Sequence, residues 1–247
     1  MKQRVAATID EAASVLEEVA RDIEREPELG FKEHKTAAKV ERYLTALGLT
    51  PETGLALTGV KARAQGGRPG PTVAILSELD AVGTPDSPKA DPLTGAAHTC
   101  GHFLQMTTML AAATGLMEAG ILPELCGDVV FFAVPAEEYV EIEYRRRLLE
   151  EGKLHYLCGK DELIYEGHFD DIDMAMMMHS QGNAPEKAVY IGKSSNGFVG
   201  KTVQYVGKTA HAANAPHEGI NALNAACLGI MGINALRETF KEDDMVR

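Results

Sequence analysis

Three short apolar runs, each followed at once by polar side chains of the kind that bind metals, constrain the fold of this chain most strongly. The first run leads into residues 77–80 (SELD). The second, residues 128–134 (DVVFFAV), is followed by residues 135–138 (PAEE). The third, residues 174–178 (MAMMM), is followed by His179. Short, evenly apolar runs with β-branched and aromatic side chains are typical of strands. Such strands, separated by helical stretches, predict an α/β fold whose mixed, largely parallel central sheet is flanked by helices.

In such sheets, ligands bind in the crevice outside the carboxyl ends of the strands. Asp80, Glu137, Glu138 and His179 follow three of these predicted ends, so we expect them to share one site. Each signal is weak when taken alone, because a histidine after a strand is usually a loop residue and two adjacent glutamates are usually at the surface. Their convergence on one sheet edge predicts the site.

Residues 98–102 (HTCGH) add two imidazoles and a thiol just before a predicted helix. Thiolate and neutral imidazole are preferred ligands of zinc and related divalent metals. Cys100 and His102 can face the same metal pair if Gly101 adopts a tight turn. Taken alone, Cys100 is more typical of a small buried apolar residue. For His98, a structural or supporting role is favoured over a role as a ligand, and both alternatives stay open.

Composition excludes some function classes. The net charge of −12 argues against nucleic acid or an anionic membrane as a partner. No run reaches the roughly 18 apolar residues that a membrane span needs. The four cysteines are widely spread and show no disulfide framework, which favours a reduced, cytoplasmic setting.

The rest of the chain alternates between predicted helices and strands. Helices are predicted over residues 9–26, 35–47, 103–119, 141–151 and 161–166. The first of the three apolar runs is predicted as a strand over residues 72–77, and further strands are predicted over residues 58–64 and 188–192. The run 145–147 (RRR) is predicted to lie on a solvated helix face, and the methionine-rich run 174–178 to be core.

The character of the sequence changes near residue 197. Residues 201–206 alternate like a half-exposed strand, and residues 219–240 predict one long helix. We therefore predict a catalytic metal-binding domain over residues 1–196 and an incomplete lid or dimerisation domain of α+β type over residues 197–247. A strand and a helix cannot bury both their faces, so we expect a truncated chain.

Several motifs together resemble a known family. They are residues 26–30 (EPELG) with Glu33 and Thr36, residues 78–81 (ELDA), 98–102, 135–138, 159–164 (GKDELI), 169–173 (FDDID), 207–213 (GKTAHAA) and 219–222 (GINA). The sequence resembles the di-metal amidohydrolases and peptidases that include aminoacylase, carboxypeptidase G and the auxin-conjugate hydrolases. Its likeness is greatest to the p-aminobenzoyl-glutamate hydrolase type.

The resemblance implies a role for each matching residue. Cys100 resembles the ligand that bridges two metals, and the terminal ligands are matched by His102, Glu138 and His179. Glu137 resembles the general base and Asp80 the carboxylate that orients the site. His211 resembles the lid histidine that reaches the active site of a partner subunit. In the family, the catalytic domain resumes after the lid and supplies a final histidine ligand.

The expected function is therefore metal-dependent hydrolysis of the amide bond in N-acyl or N-aroyl amino acids. The resemblance implies two divalent ions (zinc, manganese or cobalt), attack by a water held between them, a substrate with a free carboxylate, and a homodimer formed through the lid. A general aminoacylase or dipeptidase is the alternative enzyme. A truncated, inactive fragment that only binds metal or dimerises is the non-enzymatic alternative.

Overall fold

The computed structural model of the chain describes residues 1–181, 189, 191, 197 and 199–241. These residues belong to two compact units, Met1–Glu186 and Lys187–Arg247. The domain boundary between residues 196 and 197 stays a prediction.

The first unit contains a five-stranded sheet of order β1-β2-β6-β3-β7. The strands of the unit are β1 (Glu52–Leu55), β2 (Gly59–Ala64), β3 (Val73–Glu78), β4 (Val82–Gly83), β5 (Ala96–Ala97), β6 (Val129–Val134) and β7 (Met174–Met177). β3 lies parallel to both β6 and β7, whereas β2 lies antiparallel to β1 and β6. The predicted α/β class with a mixed sheet is confirmed.

Helices flank this sheet in the first unit, and one further helix lies in the second unit. They are α1 (Lys2–Glu11), α2 (Ala13–Arg25), α3 (His34–Ala46), α4 (His102–Glu118), α5 (Ile142–Glu150), α6 (Gly159–Tyr165) and α7 (Ala222–Ala235). The single helix predicted over residues 9–26 is in fact two helices that meet at Ala12. Among the described residues, no helix is both long and apolar enough to cross a membrane.

Successive side chains of β6 belong to two buried clusters, one on each face of the sheet. Phe131 belongs to a buried cluster that includes Met106 and Met109 of α4. Phe132 belongs to a second cluster, which includes Leu148 of α5 and Leu163 of α6. Since successive side chains of a strand point to opposite faces, α4 covers one face and α5 with α6 the other.

The register of the sheet brings two strand ends together. Glu78, the last residue of β3, lies opposite Val134, the last residue of β6, and the two strands run parallel. The segments that follow these residues therefore leave the sheet at the same edge. This is the arrangement that the sequence predicted for Asp80 and for Glu137 with Glu138.

Some predictions for individual segments are wrong. The methionines of β7 are about half exposed, because β7 lies at the edge of the sheet formed by the described residues. Arg145 is fully buried and not on a solvated face, although Arg146 is exposed.

In the second unit, residues 201–206 form no strand, and the helix predicted over residues 219–240 is limited to α7 and a 3-10 turn, Arg237–Thr239. The strand predicted over residues 188–192 lies largely outside the described residues.

Replacing Phe131 by alanine is expected to destabilise the first unit by about 3–5 kcal/mol, because it opens a cavity in a core that cannot fully collapse. Phe131 is fully buried in the central strand β6. Urea unfolding followed by circular dichroism measures the change. Leu93→Ala is the control, since Leu93 is 94% exposed and its truncation should change stability by less than about 0.5 kcal/mol. Equal effects of the two substitutions would contradict this view of the core.

Candidate metal centre

Gly101 connects the two ligand-type residues that precede and begin α4. Its φ of +89° lies in the left-handed region, and a Cβ at this position would collide with Ser180. Only glycine adopts this conformation without strain. The tight turn that would let Cys100 and His102 face the same metal pair is therefore present at Gly101, at the start of the helix.

The thiol and two imidazoles meet at this point. Potential ligand atoms of Cys100, His102 and His179 all lie within 4.8 Å of one another. The Sγ of Cys100 is 3.4 Å from Nε2 of His179. The rings of His102 and His179 stand nearly perpendicular, at 88°, with centroids 5.6 Å apart.

A group of carboxylates surrounds the other side of His102. Its Nε2 lies 3.1 Å from Glu78 Oε2, 3.9 Å from Glu137 Oε2 and 4.0 Å from Glu138 Oε1. Glu78, His102 and Glu137 form a second group whose possible ligand atoms lie within 4.8 Å of one another. His102 therefore belongs to both groups, and the start of α4 and the ends of β3 and β6 contribute to one centre.

Asp80 fixes the orientation of the shared imidazole. Nδ1 of His102 lies 2.8 Å from the backbone oxygen of Asp80 and 3.3 Å from its Oδ1. With a proton on Nδ1, the neutral ring directs the lone pair of Nε2 towards the carboxylates. Among the described residues, this buried Nε2 forms no hydrogen bond, despite its 3.1 Å distance from Glu78. An oriented imidazole nitrogen without a hydrogen bond suits a metal ligand.

The electrostatics of the centre favour protonated ligands. Burial, followed by hydrogen bonding to Glu138, raises the pKa of Cys100 to about 12. Burial lowers the pKa of His102, but the hydrogen bond and charge of Asp80 outweigh it and raise that pKa to about 9. Burial and the charge of Glu78 also raise the pKa of Glu137. Divalent metals bind deprotonated thiolate and neutral imidazole, so binding here would release protons. The donor set of thiolate, imidazole and carboxylate fits zinc, manganese or cobalt.

Sequence reasoning gave Glu78 no role of its own, although it is fully buried beside His102. Its backbone N–H donates to Gln105 Oε1 at 2.6 Å, and Gln105 Nε2 donates to Glu78 Oε2 at 3.1 Å. Lys160 of α6 forms an ion pair with the other oxygen, Oε1. The signal was present in the sequence, since residues two apart in extended chain point the same way and Asp80 was already assigned.

Two further histidines lie outside these groups. His98 is largely buried, its ring centroid is 5.7 Å from that of Phe103, and neither ring nitrogen has a hydrogen-bond partner among the described residues. His211, in the second unit, is exposed, and its Nδ1 accepts hydrogen bonds from the backbone N–H groups of Ala213 and Asn214. The roles predicted for these and for the other site residues stay predictions.

Comparison with curated proteins finds many relatives. The chain is 33% identical to the Xaa-Arg dipeptidase of Mus musculus in an alignment that covers 98% of this chain and 51% of the relative. It is 28% identical to one of the p-aminobenzoyl-glutamate hydrolase subunits of Escherichia coli (strain K12), over 90% of this chain and 43% of the relative. The chain thus spans about half the length of the curated relatives it matches. No family model matches it.

Two solved structures are also similar to the chain. The Bacillus subtilis YXEP protein, described as a dinuclear metal binding peptidase of the M20 family, matches with a TM-score of 0.56 and 26% identity, over 70% of this chain and 44% of that one. A Staphylococcus aureus protein shares the fold with a TM-score of 0.71 at 22% identity, over 99% of this chain and 62% of that one. The fold therefore matches that of a protein described as a dinuclear metal binding peptidase. The chain belongs to the M20 family of peptidases and amidohydrolases.

Proposed function

We propose that this chain carries part of the active site of an amidohydrolase that cleaves N-acyl or N-aroyl amino acids, including p-aminobenzoyl-glutamate-like and dipeptide substrates. The observation that carries the proposal is the double role of His102, whose ligand-type neighbours are Cys100 and His179 on one side and Glu78 and Glu137 on the other. A single imidazole between two such groups suits a centre for two metal ions.

Different residues would carry out different parts of the reaction. Two bound divalent ions would lower the pKa of water and polarise the amide carbonyl. Cys100, His102, Glu138 and His179 would hold these ions, and Asp80 would keep the His102 ring in its binding tautomer. Glu137, whose pKa is raised by burial and by the charge of Glu78, would take the proton from water and pass it to the leaving amine.

A dipeptidase is the second candidate, because the relatives from Mus musculus and Homo sapiens are both Xaa-Arg dipeptidases. The relative from Escherichia coli is instead a subunit of a p-aminobenzoyl-glutamate hydrolase. This likeness supports an aroyl-glutamate as the substrate of the present chain. Ratios of kcat/KM over three substrate classes separate the candidates: p-aminobenzoyl-glutamate, N-acetyl amino acids, and dipeptides ending in arginine or glutamate. A preference of about tenfold or more for one class would decide between them.

The metal assignment predicts the effect of removing single ligands. Cys100→Ser and His179→Ala should each lower zinc stoichiometry or affinity, because each removes a ligand from the group around His102. Elemental analysis after dialysis and calorimetric titration with zinc measure both quantities.

The matched controls are Cys126→Ser and His34→Ala, which change an exposed cysteine and an exposed histidine of the same unit. They should bind zinc as the unchanged chain does. If the site variants also bind as the unchanged chain does, the metal assignment is wrong.

The proposal extends to the assembly. Residues 197–247 would form part of a lid through which two copies of the protein associate, and His211 of one copy would serve the active site of the other. The support for this step is the resemblance of residues 207–213 to the lid motif of the family.

A further inference from the structure

The two glutamates at the end of β6 are carried by a strained bend. β6 ends at Val134, and Ala136 then adopts a φ of +50°. A residue other than glycine pays about 1–2 kcal/mol for the left-handed conformation. Such a conformation persists only where the surrounding structure imposes it. The direction of the following Glu137 and Glu138 side chains thus depends on whatever holds Ala136.

Buried polar side chains hold the backbone of this bend. The N–H of Ala136 donates to Glu33 Oε1 at 2.8 Å, and its carbonyl accepts from Arg145 Nη1 at 3.3 Å. The carbonyl of Glu138 accepts from Arg145 Nη2, and its N–H donates to Asp80 Oδ2 at 2.8 Å. Both backbone groups of the residues on either side of Glu137 are therefore bound by side chains.

Glu33 and Arg145 are both fully buried. Glu33 also accepts a 2.7 Å hydrogen bond from the Thr58 hydroxyl, and Arg145 also donates to the carbonyl of Leu157 at 2.8 Å. Burying two ionisable side chains gives little stability compared with apolar residues of the same size. Their burial here is instead matched to the backbone of Ala136, whose N–H donates to Glu33 and whose carbonyl accepts from Arg145.

We infer that Glu33 and Arg145 act as a clamp on residues 136–138 that aims Glu137 at the substrate water and Glu138 at the metal. Both are positioning residues, since neither belongs to the two groups of ligand-type side chains around His102. This inference rests on the proposed function for the roles of Glu137 and Glu138, but the clamp itself is defined by the backbone contacts alone.

The test uses Co²⁺ as the probe, with Glu33→Gln and Arg145→Lys as the variants. Glu33→Gln keeps the shape but replaces one acceptor by a donor, and Arg145→Lys keeps the charge but cannot reach two carbonyls in a fork. Each should weaken Co²⁺ binding by about 10–100-fold, the usual effect of losing a partner that orients a ligand. In an active preparation, kcat should fall more than KM rises.

Matched controls separate positioning from general loss of stability. Glu162→Gln changes another buried carboxylate, which accepts from the backbone N–H groups of His155 and Tyr156 and not from the bend. Arg146→Lys changes the exposed neighbour of Arg145. Both controls should bind Co²⁺ within about twofold of the unchanged chain, even if Glu162→Gln lowers the melting temperature.

Amide hydrogen exchange gives a readout that does not need metal. The clamp predicts faster exchange at Ala136 and Glu138 in Arg145→Lys, but not in Arg146→Lys. If Arg145→Lys or Glu33→Gln fails to fold, Thr58→Val removes one hydrogen bond to Glu33 and should shift both readouts in the same direction by less.

Two failures are distinguishable. The proposed function fails if the unchanged chain binds no Co²⁺, or if Cys100→Ser binds Co²⁺ with the same affinity as the unchanged chain. In that case amide hydrogen exchange alone tests the clamp. If folded clamp variants match their controls in both Co²⁺ affinity and exchange, the clamp is overturned.

Discussion

Glu137→Gln is expected to lower kcat by about 10²–10⁴-fold in an active preparation, while the divalent metal stays bound. The amide has the shape of the carboxylate but cannot accept a proton from water. Glu137 Oε2 lies 3.9 Å from Nε2 of His102, so the side chain faces the centre without touching the assigned ligand closely. Steady-state kinetics and metal content, measured on the same sample, check the prediction.

Two comparisons make this result specific. Glu138→Gln should lose metal together with activity, because Glu138 is assigned as a ligand. Glu143→Gln alters an exposed glutamate of α5, which lies 3.5 Å from exposed Arg146, and should leave both quantities unchanged. If Glu137→Gln itself loses metal, Glu137 is a ligand and the base lies elsewhere.

The sequence was sufficient to predict the strand ends and most of the residues near them. Residues 128–134 and 72–77 are apolar enough to be recognised as buried strands, and neighbouring parallel strands end at one edge. Asp80 and Glu137 therefore had to lie close to each other once the topology was assumed. The helix from Phe103 was equally clear, because glycines precede and follow a long apolar stretch.

Contacts between polar residues that are far apart in the chain could not be predicted from the sequence in the same way. Arg145 stands in a run of three arginines on a short helix, and such runs are usually solvated. It is buried because Ala136 and Glu138 turn their carbonyls towards α5, which depends on the bend and not on any local pattern. The methionines of β7 were predicted as core from their apolarity, but exposure depends on which strands lie beside β7.

His211→Ala is expected to lower kcat by about 10²–10³-fold, the usual cost of losing one donor to the oxyanion of an acyl-transfer reaction. Metal content should not change, since His211 is assigned no ligand role. His217→Ala is the control, because His217 is also exposed in the second unit and has no assigned role in the proposed site. A loss of metal in His211→Ala would contradict the assignment.

Mixing two inactive variants tests whether His211 serves a partner subunit. In a dimer of one His211→Ala chain and one Glu137→Gln chain, one site receives both an intact base and an intact donated imidazole, whereas the other site lacks both. Random exchange between equal amounts should therefore restore about a quarter of the activity of the unchanged protein, since about half of the dimers are mixed and each has one complete site. If the histidine instead serves its own subunit, every site lacks one group. No activity would then return even after mass spectrometry has confirmed that subunits exchange, and donation between subunits would be excluded.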